Sequence, residues 1–296
     1  MYSRRKTVTQ RPSWFNEALF PFESKFMELD DSTVHYVDVG EGPAIVMVHG
    51  NPAWSFLYRK VILGLQDRFR CIAVDNPGFG LSKASPGYGY MPHEHSAVLG
   101  KVVDQLGLDE FTVMANDWGG PIGFGMAVER PDRVRSLIVC NTWAWPVAGV
   151  KKIERFSKVM GSSAMGFAIR RFNVFINPVM KSGFKRAKPS KEEWAMYKGP
   201  FPTPDSRKPI AVLPGAILGE TPWLQEISDK LASIADKPAL ILWPDKDLAF
   251  QTPQRKQWEA LLSNHHTVII EGAGHFVQDD AGEELVDEIR KWWPGE

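Results

Sequence analysis

The sequence is poor in cysteine, in net charge and in long apolar runs. It has two cysteines in 296 residues, Cys71 and Cys140. Each lies in a short apolar run that reads as a buried strand. No disulfide framework is expected, and both thiols are expected to sit reduced in the core. The 35 basic and 35 acidic residues cancel. That balance argues against nucleic acid or an anionic membrane as the main partner. No apolar stretch approaches the length of a transmembrane helix. The N-terminal run MYSRRKTVTQRPSWF has basic residues but no apolar stretch behind them. It does not read as a secretory signal, and the expected compartment is the cytoplasm. The chain has no internal repeat and no low-complexity segment. It also has no His/Cys/carboxylate cluster with metal-ligand spacing, so neither a metal nor a cofactor is expected.

Apolar residues are plentiful. They make up 44% of the chain, with 11 tryptophans and 17 phenylalanines, enough for a full core and for the walls of an apolar cavity. Short β-branched runs alternate with longer helical patterns, which predicts an α/β fold: a mostly parallel central sheet joined by crossover helices. Strands are expected at Thr33–Val39, Ala44–His49, Cys71–Asp75, Phe111–Asn116, Leu137–Asn141, Ala239–Trp243 and Thr267–Glu271. The runs IVMVHG and ALILW are nearly continuous hydrophobes, as strands covered on both faces should be. The alternation fails between Trp145 and Trp223, where helix-like stretches and prolines take over. The expected organisation is a core of residues 1–144 and 224–296 with a helical cap, 145–223, inserted over the carboxyl ends of the strands.

Three loops carry the chemistry. In the first, Phe111-Thr-Val-Met-Ala-Asn-Asp-Trp-Gly-Gly reads as strand, sharp turn, helix, with small residues Ala115, Gly119 and Gly120 around Asp117. Taken alone, Asp117 is an ordinary helix N-cap. In this setting it has the pattern of a nucleophile elbow with aspartate in the place of serine. A carboxylate attacking a saturated carbon gives an ester that water can cleave, whereas a serine would give an ether. The second loop, EGAGHFVQDD, presents His275 after the last expected strand as a general base. The other six histidines read as surface or loop residues (His35, His93, His95, His265, His266) or as structural (His49). The third, WPDKDLAF, supplies Asp247 to orient His275, with Asp245 as a competitor. The order Asp117, Asp247, His275 is the nucleophile, acid, histidine order of this fold. The alternative acid position after LIVC is Asn141, which cannot serve as an acid.

The loop His49-Gly-Asn-Pro follows an apolar strand and supplies a backbone N–H to an oxyanion hole. Asn51 offers two amide donors there, and Trp118 a donor-only indole N–H. Two donors in an apolar cavity favour a small anion such as halide, although each residue alone also fits a turn former or a core side chain.

These motifs resemble the haloalkane dehalogenases of the α/β-hydrolase superfamily. The resemblance runs through HGNPAWSFLYR, DNPGFGLS, NDWGGPIG, NTWAWP, WPDKDLAF and GHFVQDD in order. NTWAWP is most similar to the third group of these enzymes. The resemblance implies Asp117 as nucleophile, His275 as base and Asp247 as acid. Asn51 and Trp118 would bind halide through their side chains and form the oxyanion hole through their backbone N–H groups. It also implies a small apolar halogenated substrate, a halide product, a role in detoxification and no cofactor. The chain departs from the family at Pro244 and Asp245, where Gly-Met is common. An epoxide hydrolase or a coelenterazine-type monooxygenase shares the fold. Epoxide hydrolases use two cap tyrosines, whereas Tyr197 is the single tyrosine in 145–223.

Overall fold

The computed structural model describes residues 11–293, so the first ten residues of the N-terminal run and the last three of the chain lie outside it. Nine strands form one sheet: β1 (Lys25–Leu29), β2 (Ser32–Val39), β3 (Ala44–Val48), β4 (Arg70–Val74), β5 (Lys83–Ala84), β6 (Phe111–Asp117), β7 (Val134–Thr142), β8 (Ala239–Pro244) and β9 (His265–Ile270). The spatial order is β1-β2-β4-β3-β6-β7-β8-β9, with β5 beside β2. β1, β2 and β5 pair antiparallel, and the run from β4 to β9 is parallel.

Seven of these strands coincide, within a few residues, with the apolar runs of the sequence. β1 and β5 were not expected. β1 lies at an edge and its KFMEL pattern is half exposed, so it lacks the continuous apolar signal of a covered strand. β3 and β8 are buried at every position because helices cover both faces. The helices of seven or more residues are α1 (Arg59–Leu65), α2 (Pro92–Gln105), α3 (Gly119–Val128), α4 (Lys151–Met160), α5 (Ser163–Phe172), α6 (Lys191–Lys198), α7 (Lys208–Gly219), α8 (Thr221–Lys230), α9 (Thr252–Leu261) and α10 (Gly282–Trp292). α3 is buried all round, as its sequence GGPIGFGMAV requires.

Helices α4 to α8 lie between β7 and β8 in the chain. α6 starts at a capping box: Ser190 Oγ accepts from the Glu193 N–H at 3.1 Å, and Glu193 Oε2 accepts from the Ser190 N–H at 2.8 Å. The same Glu193 accepts from Arg59 of α1 at 2.5 Å. Arg59 also makes a two-pronged pair with Asp279, at 2.6 and 3.1 Å. Arg59 and Asp279 are buried, Glu193 is half-buried, and the cluster joins the inserted helices to the core.

Two histidines depart from expectation. His35 and His95 are fully buried, not at the surface. His35 Nδ1 lies 2.7 Å from Asp75 Oδ2, and a buried carboxylate with a histidine partner is a core feature that local sequence does not reveal. Cys71 and Cys140 are buried free thiols, and burial pushes Cys71 up to about 12. Among the described residues, no helix is long and apolar enough to cross a membrane.

Candidate active site

The sheet reverses its winding direction between β3 and β6. β3 connects through α1 to β4 on one side, while β6 pairs on the other, with Val48 opposite Ala115. Such a switch point leaves a crevice at the carboxyl ends of the strands. The loop after β3 and the end of β6 meet there, and β7, β8 and β9 deliver their loops alongside.

Asp117 ends β6 at a φ of +52°, in the left-handed region. A non-glycine residue there is strained by about 1–3 kcal/mol and is held only by its surroundings. The Thr142 hydroxyl donates to the Asp117 carbonyl at 2.5 Å. Three glycines make the turn possible. A Cβ on Gly119 would overlap the Val48 carbonyl, one on Gly120 the Thr142 hydroxyl, and one on Gly50 the Asp117 carboxylate itself. The small residues of the sequence pattern therefore answer to named neighbours.

The Asn51 backbone N–H donates to Asp117 Oδ1 at 2.7 Å, and the Trp118 N–H also bonds the carboxylate. These are the two N–H groups expected of an oxyanion hole. Burial raises the Asp117 pKa above its ordinary value, against the opposing pull of His275 and the two N–H donors. His275 Nε2 stands 3.7 Å from Asp117 Oδ2, and its Nδ1 stands 3.0 Å from Asp247 Oδ2. Burial alone would disfavour the imidazolium, but Asp247 and Asp117 outweigh it and push His275 up to about 9. Asp247 is buried, which alone would raise its pKa. His275, the Ala249 N–H at 2.7 Å and the Asn141 amide at 2.6 Å hold it below its ordinary value instead.

Asp245 lies apart from this group. It pairs with Lys246 at 2.6 Å and accepts from the Gly272 N–H at 2.5 Å, and it makes no contact with His275. Of the two aspartates in the loop, Asp247 is the one in contact with the histidine.

A cavity of about 320 Å³ lies over these residues. Its walls are apolar, with Trp143 and Phe250 from the core and Phe175, Met180 and Ile217 from the inserted helices. Asn51 and Trp118 both line it. Asn51 Nδ2 donates to the Ile210 carbonyl of α7 at 3.3 Å, which fixes the amide with its nitrogen toward that oxygen and leaves a second N–H. The Trp118 indole N–H has no hydrogen-bond partner among the described residues.

Three features went unread in the sequence. Asn141, set aside because it cannot be an acid, donates to Asp247 at 2.6 Å and to the His275 carbonyl at 2.9 Å. Asn116 donates to Asn141 in turn at 3.0 Å, so a row of amides supports the Asp247–His275 pair. The position after LIVC carried the only signal. Trp143 packs edge-on against Trp118 at 4.7 Å, and its own indole N–H is buried with no partner among the described residues. Tyr197 is fully buried with its hydroxyl on Asp279 at 2.5 Å, and it does not line the cavity.

Comparison with known proteins is consistent with this geometry. The alpha/beta hydrolase fold family model matches residues 43–282. The chain is 41% identical over 273 residues to haloalkane dehalogenase 2 of Mycobacterium tuberculosis, covering 92% of this chain and 95% of that protein. It is 30% identical over 285 residues to a cis-3-alkyl-4-alkyloxetan-2-one decarboxylase of Shewanella oneidensis, covering 93% and 89%. Among solved structures, a haloalkane dehalogenase from Bradyrhizobium elkani superposes with a TM-score of 0.81 at 26% identity, covering 90% of this chain and 96% of that one.

Proposed function

Since this chain belongs to the α/β-hydrolase family and, within it, to the haloalkane dehalogenases, we propose that it hydrolyses haloalkanes to alcohol and halide through a covalent ester on Asp117. One observation carries the reading. A buried carboxylate at a strained turn faces an apolar cavity, with two side-chain donors beside it and a carboxylate-backed histidine 3.7 Å away.

Asp117 attacks the carbon that bears the halogen. The Asn51 amide and the Trp118 indole N–H take up the charge growing on the leaving halide. Esterification then removes the Asp117 charge. This charge is one of the two that hold His275 protonated, so the histidine pKa falls and the imidazole becomes available as a base. His275, oriented by Asp247, deprotonates a water. The 3.7 Å gap to Asp117 suits a base that acts through water better than one bonded to the carboxylate. The hydroxide attacks the ester carbonyl, and the N–H groups of Asn51 and Trp118 receive the oxyanion. Alcohol, halide and one proton leave. We take residues 145–223 as the cap over this cavity and the cytoplasm as the compartment. Removal of toxic haloalkanes is the matching physiological role.

Epoxide opening requires phenol donors at the leaving oxygen, and no tyrosine is among the cavity-lining residues described. Oxetanone decarboxylation is a second reading, supported by a relative of lower identity. Bromide release from a short bromoalkane tests the assignment. Release with a first-turnover alcohol free of heavy oxygen, in heavy-oxygen water, is expected because that oxygen comes from Asp117. Absence of bromide, together with carbon dioxide from a dialkyl oxetanone, would overturn it.

A further inference from the structure

Zero net charge is an average over two unlike parts of this chain. Residues 150–191 hold eleven lysines and arginines and one acid, Glu154, a net charge of +10. The rest of the chain, with 24 basic and 34 acidic residues, carries −10. The basic segment includes α4 and α5, and both pack on α7. α4 turns Ile153, Ser157 and Met160 inward, with the Ser157 hydroxyl on the Pro214 carbonyl at 2.8 Å. Its opposite face, at helical spacing, is Lys152, Arg155, Phe156 and Val159, all exposed. On α5, Ile169 is buried while Phe167 and Phe172 are 64% and 63% exposed, with rings 6.1 Å apart and Arg171 beside them.

Eight large hydrophobic side chains are exposed among the described residues, and five of them are Val150, Phe156, Val159, Phe167 and Phe172. A sixth, Leu248, lies across the cavity rim, where its carbonyl accepts from Lys152 at 3.3 Å. Lys152, Phe156 and Leu248 line the cavity, so its mouth opens on this face. The side-chain cations of Lys151, Arg155, Arg171, Lys181, Lys185, Lys188 and Lys191 have no carboxylate partner among the described residues.

Apolar patches of this kind mark contact surfaces, and aromatic rings among unpaired cations are suited to an anionic bilayer. A second copy meeting α4 and α5 face to face would set like charge against like, since residues 151–172 hold six lysines and arginines and one acid. We propose that the outer face of α4 and α5 docks this protein on an anionic phospholipid surface, with the phenylalanines in the headgroup region and the cavity mouth turned toward the lipid. The contact is peripheral, because no helix of the described residues can span a membrane. A bilayer concentrates apolar molecules, so the mouth would draw on a richer supply than water holds. The docking does not depend on the reaction assigned above.

Vesicle sedimentation of the full chain tests the proposal. Binding to phosphatidylcholine vesicles with about 30% phosphatidylglycerol should exceed binding to pure phosphatidylcholine by about tenfold or more and should weaken in high salt. The double variant Phe167→Ser, Phe172→Ser should lose about tenfold or more on anionic vesicles. The double variant Arg155→Gln, Arg171→Gln should lose the preference for anionic lipid. None of these four residues lines the cavity, so both variants should keep their circular dichroism and their turnover of a soluble short bromoalkane. Equal binding to both vesicles, or no binding, overturns the proposal. So does anionic binding that the phenylalanine variant leaves intact, which would be charge adsorption alone. A dimer in sedimentation velocity that the same variant dissolves would make the face a protein contact instead.

Discussion

Replacing Asn141 with alanine should slow one half of the reaction and spare the other. The Asn141 amide donates 2.6 Å to the buried Asp247 carboxylate and 2.9 Å to the His275 carbonyl. A hydrogen bond to a buried charged group contributes about 1.5–3 kcal/mol. Its loss lets the Asp247 pKa rise and lets the aspartate turn, and His275 loses part of the charge that aligns it. At 1.36 kcal/mol per tenfold, hydrolysis of the alkyl-enzyme should slow by about 10- to 150-fold. Halide displacement by Asp117 does not use His275 and should keep its rate within about twofold. Rapid-quench measurement with a bromoalkane should therefore show a bromide burst close to one per active site, followed by slow turnover. The Asn141→Leu variant controls for packing, since it nearly keeps the volume and removes the donor without adding a second acid beside Asp247. A burst-free variant with kcat near that of the parent chain would refute the reasoning. So would equal slowing of both steps.

Other outcomes follow from the same geometry. The His275→Phe variant should form the ester and not cleave it, so intact mass spectrometry should find Asp117 carrying the alkyl group. Trp118→Phe keeps an aromatic side chain, though a smaller one, and removes the indole donor, and kcat/KM should fall about 10²–10³-fold with folding intact. Gly50→Ala places a methyl against the Asp117 carboxylate and should cost about 10²-fold or more in kcat, with thermal unfolding as the check that the fold survives. Because His275 is raised from 6.5 to about 9, its contribution to stability should be complete below about pH 6.5 and lost as the pH climbs through 9. The unfolding midpoint of the parent chain should therefore decline over that range, and Asp247→Asn should flatten the decline.

The parts of this molecule legible in its sequence are those set by short-range sterics or by burial on both faces. β3 and β8 read as strands because every residue is apolar. The turn at Asp117 reads as strained because Gly119 and Gly120 leave no room for a side chain. β1 did not read, since an edge strand with one wet face has no strong pattern. The burial of His35 depends on Asp75, forty residues away, and no local window contains both. Asn141 is legible in the sequence as a residue that cannot be the acid, without its role as a donor. Its residue type excluded it as an acid, while its value as a donor depends on β7 and β8 lying side by side. The charge imbalance of residues 150–191 could be counted in the sequence, but whether its phenylalanines face inward or outward was decided by the packing of α4 and α5 on α7.

The buried cluster around Arg59 has a consequence for how the inserted helices find their place. The guanidinium comes from α1, Asp279 follows the histidine loop, and Glu193 begins α6. Each charge loses water in the folded chain, so the group as a whole adds little net stability. Its effect is on the alternatives. If α6 settles one turn out of place, the guanidinium stays enclosed with one carboxylate where two were needed, and Tyr197 loses its acceptor. Apolar surfaces slide past one another at small cost, but this set of charges fits in a single seating. It works as a keyway, rejecting wrong alignments of α6 against the core.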